Sequence, residues 1–220
     1  GRFVTRALGS TLTFLLVILS GVSCLAVVVV ARGEGFSIDT ADLPLVALTG
    51  FVYAGALYFL FAGLKTGSLA LVVLIAASFP ATTVLIAIAR GTPPTAVQLV
   101  AIAAVLIGMS MGIGNPQTEA AAGDADQDAP RPPPNNNRRA IAFAALAHIC
   151  FAVSITIGQQ LVDQIDGASL TLAIRLTGLL LIPLLLIGRD RPATSRLGRW
   201  MPLAIAMGCL DVIGLGAVLA

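Results

Sequence analysis

Residues 43–64 read LPLVALTGFVYAGALYFLFAGL, and residues 201–220 read MPLAIAMGCLDVIGLGAVLA. At an offset of 158, Leu43-Pro44-Leu45 falls on Met201-Pro202-Leu203, Gly50 on Gly208, Leu57 on Leu215 and Ala62 on Ala220. Each run is about 20 residues of almost unbroken apolar sequence, the length of a helix that crosses a hydrocarbon core of ~30 Å at ~1.5 Å per residue. A second correspondence runs at an offset of 169: Arg6 and Gly9 fall on Arg175 and Gly178, and Leu12, Leu15, Leu16 and Ile18 fall on Leu181, Leu184, Leu185 and Ile187. Leucine matches are cheap in apolar sequence. The weight rests on an Arg/Gly pair and a Pro/Gly pair that recur in the same order, the mark of an internal repeat.

Outward from these runs, the chain offers seven apolar stretches of spanning length: Leu8 to Ala31, Leu43 to Leu64, Ser68 to Ala89, Ala96 to Gly114, Ala140 to Val162, Ser169 to Ile187, and Met201 to Ala220. Of the 220 residues, 57% are hydrophobic and only 11% charged. A soluble domain carries about 25% charged residues, so these are too few to coat a water-soluble globule. A soluble enzyme is excluded. The net charge of +2 forms no basic stripe, which argues against a nucleic-acid surface. Cys24, Cys150 and Cys209 all lie inside apolar stretches without CxxC spacing, so neither a disulfide framework nor a metal site is indicated.

The first four stretches are joined by short turn sequences such as Lys65-Thr66-Gly67 and Gly91-Thr92-Pro93-Pro94, which make sequential helices antiparallel neighbours. Residues 115–139 differ in kind. They hold Glu119, Asp124, Asp126 and Asp128, then Pro130, Pro132, Pro133 and Pro134 and three consecutive Asn, and cannot bury enough apolar area to offset their ordering entropy. They read as a hydrophilic linker outside the membrane between a four-span unit, 1–114, and a three-span unit, 140–220. If the first and second spans recur as the sixth and seventh, a helix is expected before Gly1 and two after Ala220. The expectation is an all-α integral membrane bundle of two five-helix repeats, seven spans being present here. Five spans separate equivalent helices, and an odd number reverses membrane direction, so the repeats are inverted.

Such a doubled five-helix unit resembles the drug/metabolite transporter superfamily, EamA-like type. The residues that carry the likeness are Ala56-Leu57-Tyr58-Phe59-Leu60, Ser68-Leu69-Ala70 running to Phe79-Pro80, and the stretch from Val105 to Gly114. These are loose small-residue patterns covering nearly the whole chain, and they speak to fold more than to substrate. The family often closes the fourth helix of the half with a Gly-Glu pair, where this chain reads Ala89-Arg90-Gly91-Thr92. The resemblance implies a multi-pass carrier in a cytoplasmic membrane, bacterial in type. It would export or take up a metabolite, amino acid or drug-like molecule, often against protons, and have no cofactor.

Several residues are candidates for that work. Asp211 lies in mid-span, where an Asp costs about 2.5 to 3.5 kcal/mol on insertion scales. It is a proton or cation site, a partner for a polar substrate, or an interior acid paired with a neighbour. Tyr53 falls at the repeat position of Asp211, so equivalent helices would present an acid and a phenol near the pseudo-two-fold axis, where repeat-built carriers hold ligand. Tyr58, within the family-like segment, is a further substrate-binding candidate. His148 titrates near neutral pH and shares a helical face with Ile155 and Gln159, as a cavity wall and second proton-coupling candidate or as a hydrogen-bonded interhelical His. Ser78 and Thr82 flank Pro80, which frees the Ala76 carbonyl, and form a substrate site or hinge, or else rebond the kink. Arg175, six residues into its span, reads as snorkelling to an interface. Gly108 and Gly112 have small-xxx-small spacing for close helix packing; Gly63 and Gly67 share it, but their stretch ends at a loop.

No P-loop is present for ATP coupling, and Gly167-Ala168-Ser169-Leu170-Thr171 lacks the last Gly of a nucleophile elbow. An intramembrane enzyme is thereby disfavoured, and the recurrence of the first span as the sixth argues against a seven-helix receptor; the expectation is a secondary transporter whose partners are a small solute, the bilayer and protons. Orientation is read two ways. Placing Arg2, Arg6, Lys65, Arg131, Arg138, Arg139, Arg189, Arg191, Arg196 and Arg199 on one side leaves Arg32 and Arg90 on the other, which puts the linker in the cytoplasm. The family topology puts it outside; we take the charge count.

Overall fold

The computed structural model describes residues 10–32, 38–91, 95–96, 99–100, 103, 107, 136–162, 164–180 and 197–219. These residues are all-helical: α1 (Ser10–Arg32), α2 (Leu43–Thr66), α3 (Leu69–Ala77), α4 (Phe79–Ala89), α5 (Asn136–Leu161), α6 (Gly167–Leu179) and α7 (Leu197–Leu219). Four stretches are long and apolar enough to cross a membrane: Thr11–Ala31, Leu43–Thr66, Leu71–Ala89 and Arg138–Leu161. By length and composition they make this a multi-pass membrane protein.

That is fewer than the seven spans expected. The described helix of the sixth, α6, has 13 residues and so reaches only ~20 Å of the ~30 Å needed. In the seventh, α7 runs 23 residues, of which Met201–Val212 is the described apolar stretch. The fourth, with Gly108 and Gly112, falls almost wholly outside the described residues, as do 115–135 of the linker. Asn136 to Arg139 open α5 as helix, four residues earlier than the apolar run suggests. Asn is a favoured residue at helix starts.

Local chemistry sets the helix ends. Ser68 caps α3 by accepting from the Leu71 N–H at 3.3 Å, and Asp166 caps α6 by accepting from the Ala168 and Ser169 N–H groups, each at 3.0 Å. Both satisfy donors that a helix start leaves unpaired. Pro44 sits in the first turn of α2, where its missing N–H costs nothing. Gly91 ends α4 at φ 81°, a left-handed conformation that a side chain would strain.

The spine of the packing is α2, whose buried residues Val46, Thr49, Gly50, Tyr53, Ala54 and Leu57 recur at helical spacing along one stripe. It lies chiefly against α5 and α6; α1 packs on α6 and α7, and the α3–α4 pair packs on α5. Two glycines bring helices together at backbone distance. A Cβ on Gly50 would collide with Thr177 and the Ile174 carbonyl of α6, and one on Gly208 would collide with Ser20 and the Val17 carbonyl of α1. Gly63 and Gly67 are also packing positions, contrary to the reading that their loop-end location discounts them. A Cβ on Gly67 would strike Ala140 of α5, and one on Gly63 would press on Val72. Outward, Val27, Val30, Leu85 and Leu210 are exposed, an apolar exterior that water would penalise and lipid does not.

Candidate functional site

Three helices each contribute one polar side chain to a single cluster. Tyr53 comes from the middle of α2, where the stripe that faces α6 also carries Gly50. Arg175 comes from α6, and Asp211 from α7. The Tyr53 hydroxyl donates to Asp211, with Oδ1 and Oδ2 both at 3.1 Å. Arg175 Nη2 forms an ion pair with Asp211 Oδ2. The guanidinium carbon lies 5.7 Å from the centre of the Tyr53 ring, within cation–π range. Phe151 of α5 stands edge-on to Tyr53 at 5.6 Å and closes that side.

The partners differ in exposure. The Arg175 side chain is fully buried, whereas that of Asp211 is 28% exposed. Arg175 must therefore be corrected: it does not snorkel. Its stem turns inward because an acid on a neighbouring helix offers more than a distant interface, and because α1 presents Gly21 beneath it. A Cβ at Gly21 would collide with Arg175 Nη1. The guanidinium is incompletely matched. Nε and Nη1 are buried and find no acceptor among the described residues, although such a group carries five donors.

A second cluster forms where the third predicted span is interrupted. α3 stops at Ala77 and α4 restarts at Phe79, with Ser78 between them in a turn and Pro80 in the first turn of α4. The side chains gather on the Ile75 carbonyl, not on that of Ala76 as the position of Pro80 suggests. Ser78 Oγ donates to it at 2.8 Å, and His148 Nδ1 of α5 lies 3.0 Å away. A carbonyl only accepts, so Nδ1 carries the proton, and Ser78 Oγ lies 3.1 Å from the same nitrogen. On the other side of the ring, Thr82 Oγ1 lies 2.7 Å from Nε2. Both ring nitrogens are thus engaged, and an α5 side chain closes a backbone break in a neighbouring helix. This is the hydrogen-bonded interhelical histidine of the two readings.

Phe151, three residues after His148, contacts Phe79 at 5.5 Å as well as Tyr53, so one ring stands between the clusters. Tyr58 is buried against Phe14 and Phe59 at 6.2 and 5.8 Å. Gln159 is exposed and joined to neither; with its amide oxygen turned outward, the adjacent Gln160 accepts from Arg90. Ser169 is buried at the capped start of α6, its N–H bonded to Asp166. The three cysteines are free, with Cys24 of α1 beside Cys209 of α7. Among the described residues, no group of three or more His, Cys, Asp or Glu is arranged to hold a metal.

Sequence reasoning brought Tyr53 to Asp211 and Ser78 and Thr82 to the kink, but missed Arg175, Gly21 and Phe151. One signal was available for Arg175. It and Asp211 are opposite charges deep in two apolar runs, and each makes the other affordable. Compared with known proteins, the chain matches no family model, no curated protein and no solved structure.

Proposed function

We propose that this protein is a secondary transporter of the EamA-like drug/metabolite kind, moving a small solute across a cytoplasmic membrane by alternating access between two inverted repeats. The observation that carries the reading is the Tyr53–Asp211–Arg175 cluster. Positions 53 and 211 are equivalent at the offset of 158, and they bond to each other, as residues flanking a pseudo-two-fold axis would. The exchanged glycine contacts agree with this. Gly50 of the second span meets α6, and its counterpart Gly208 of the seventh meets α1; these partners are the sixth and first spans, themselves a repeat pair. Ligand in repeat-built carriers sits at such an interface.

Chemically, the cluster is a carboxylate balanced between two donors and partly open to the outside. While ionised, Asp211 ties α7 to α2 and α6. Taking a proton removes the charge that holds Arg175 and loosens that tie, giving the helices a second arrangement whose population depends on proton and solute together. Export driven by proton exchange is the direction proposed.

The test is flux in vesicles reconstituted with the intact protein, combined with resistance and export screening in a host lacking related exporters. A pH gradient is expected to drive solute movement. Asp211→Asn is expected to lose that drive while retaining some solute-for-solute exchange. Full proton-driven flux in Asp211→Asn at normal expression would remove the coupling role. The absence of any solute movement by the wild type would remove the transporter reading.

A further inference from the structure

The described residues satisfy Arg175 on one side only. Its Nη2 holds Asp211, while Nε and Nη1, in a side chain with no solvent exposure, have no acceptor among them. A buried guanidinium with two free donors is a costly arrangement unless something anionic comes to it; Nε and Nη1 flank Nη2, and each makes a bidentate fork for a carboxylate only together with Nη2, the nitrogen that Asp211 now holds. The surroundings fit a carboxylate borne on an apolar body: the Tyr53 ring lies beside the guanidinium, and the rings of Phe151 and Phe79 continue from it at 5.6 and 5.5 Å. Of the pair, Asp211 is the partly exposed member.

We infer that the pairing of fully buried Arg175 with partly exposed Asp211 is a binding site for a monocarboxylate with an apolar body, in which the ligand's carboxylate takes over the guanidinium as Asp211 takes up one proton. This inference rests on the transporter reading and supplies its substrate class. The proton follows from charge balance. Arg175 and Asp211 together are neutral; a second anion beside one cation in a medium of low dielectric is strongly repelled, and protonation of Asp211 restores neutrality. The ligand forms ionic hydrogen bonds to Arg175, the Arg175–Asp211 ion pair breaks, and the proton comes from water at the exposed edge of Asp211. Of the other titratable groups on the helices packed against α7, Cys24 of α1 lies beside Cys209 and within electrostatic reach of Arg175, while His148 of α5 is bonded at the Ser78 break, Cys150 is partly buried, and Arg138 and Arg139 are exposed at the start of α5. Tyr53 remains as a neutral donor to whichever carboxyl is present.

The experiment is calorimetric titration of the intact protein in detergent with benzoate, phenylacetate and propanoate, each set against its amine, such as benzylamine. It is run in two buffers of different ionisation heat, so that proton uptake is counted. At least one aromatic carboxylate is expected to bind, taking up close to one proton and weakening by about tenfold per pH unit where free Asp211 is ionised. Asp211→Asn should bind the same carboxylate with no proton uptake and a flat pH profile. Arg175→Gln should abolish binding, and Arg175→Lys should restore part of it. If Arg175→Gln fails to fold, the proton count in Asp211→Asn decides. The inference is overturned if none of the three carboxylates binds, if the amines bind in preference, if Arg175→Gln binds as the wild type does, or if Asp211→Asn still takes up a proton. Flux separates this from the parent reading. A carboxylate that binds but never crosses the vesicle wall removes the transporter and leaves the site. An amine that crosses while no carboxylate binds leaves the transporter and removes this site.

Discussion

Tyr53 donates its phenolic proton to a carboxylate 158 residues further along the chain, on Asp211, with both oxygens at the same 3.1 Å. The bond joins α2 to α7 inside the bundle, and the acceptor is shared with a guanidinium from α6. Most of what is expected of the protein turns on how these three groups depend on one another.

Removing Tyr53's hydroxyl should matter more than the loss of a neutral hydrogen bond, since the acceptor is ionised. Bonds to charged groups contribute about 1.5 to 3 kcal/mol. Tyr53→Phe keeps the ring, its packing on Phe151 and its face toward Arg175, so the expected loss lies in that range. Thermal unfolding in detergent measures it, and an unchanged midpoint would show that the bond does not hold in solution.

Arg175 and Asp211 should be strongly non-additive. Asp211→Leu strands a buried cation and is expected to cost about 3 to 5 kcal/mol. Arg175→Leu is expected to cost less, because the stranded Asp211 is 28% exposed whereas Arg175 is fully buried. The double replacement by Leu should be near neutral, or more stable than the wild type by up to ~4 kcal/mol, while inactive in flux. A double-mutant cycle on unfolding midpoints checks this, and additive single effects would contradict the ion pair.

The close helix crossings make a graded prediction about glycines. Gly50→Ala and Gly208→Ala drive a methyl into a backbone carbonyl across each interface and should cost about 1 to 3 kcal/mol. Gly55→Ala, on the same helix as Gly50, meets nothing within 4 Å. It should be neutral or stabilising by up to ~1 kcal/mol through helix propensity. Similar losses at all three positions would mean that helix flexibility, not contact, sets the effect.

His148 is expected to act on stability, not on proton coupling. Both ring nitrogens are bound, so His148→Ala leaves Thr82 without its ring partner and the Ile75 carbonyl with Ser78 alone, at a cost of about 1 to 3 kcal/mol. The count of protons per solute should not change. A changed count, measured in vesicles at matched protein levels, would return His148 to the coupling path.

The legible part of this architecture is the part that apolar run length alone decides. α1, α2, the α3–α4 pair and α5 were placed to within a few residues, since ~20 apolar residues have no other stable home. That Tyr53 and Asp211 would lie in one region was expected from their matching positions in two apolar runs 158 residues apart, and the structure shows them bonded. Arg175 was not legible, because position along a span tells how far a side chain must reach to water and nothing about a counter-ion on another helix. The break at Ser78 was expected from Pro80, but its closure by an α5 histidine is tertiary and has no local signal. Asn136 to Arg139 read as linker because their composition is polar, whereas polar residues also begin helices.

The order of the charges along the chain bears on how the protein is made. Arg175 leaves the ribosome 36 residues before Asp211, so α6 confronts the bilayer carrying an uncompensated cation that costs about 2.5 to 3.5 kcal/mol to insert alone. The helices that will enclose it are already synthesised: α1 with the seat at Gly21, and α2 with the Tyr53 ring. Only the anion is still to come. Membrane entry of α6 is therefore tied to assembly against its predecessors, and the arrival of α7 locks in a segment that was only provisionally inserted.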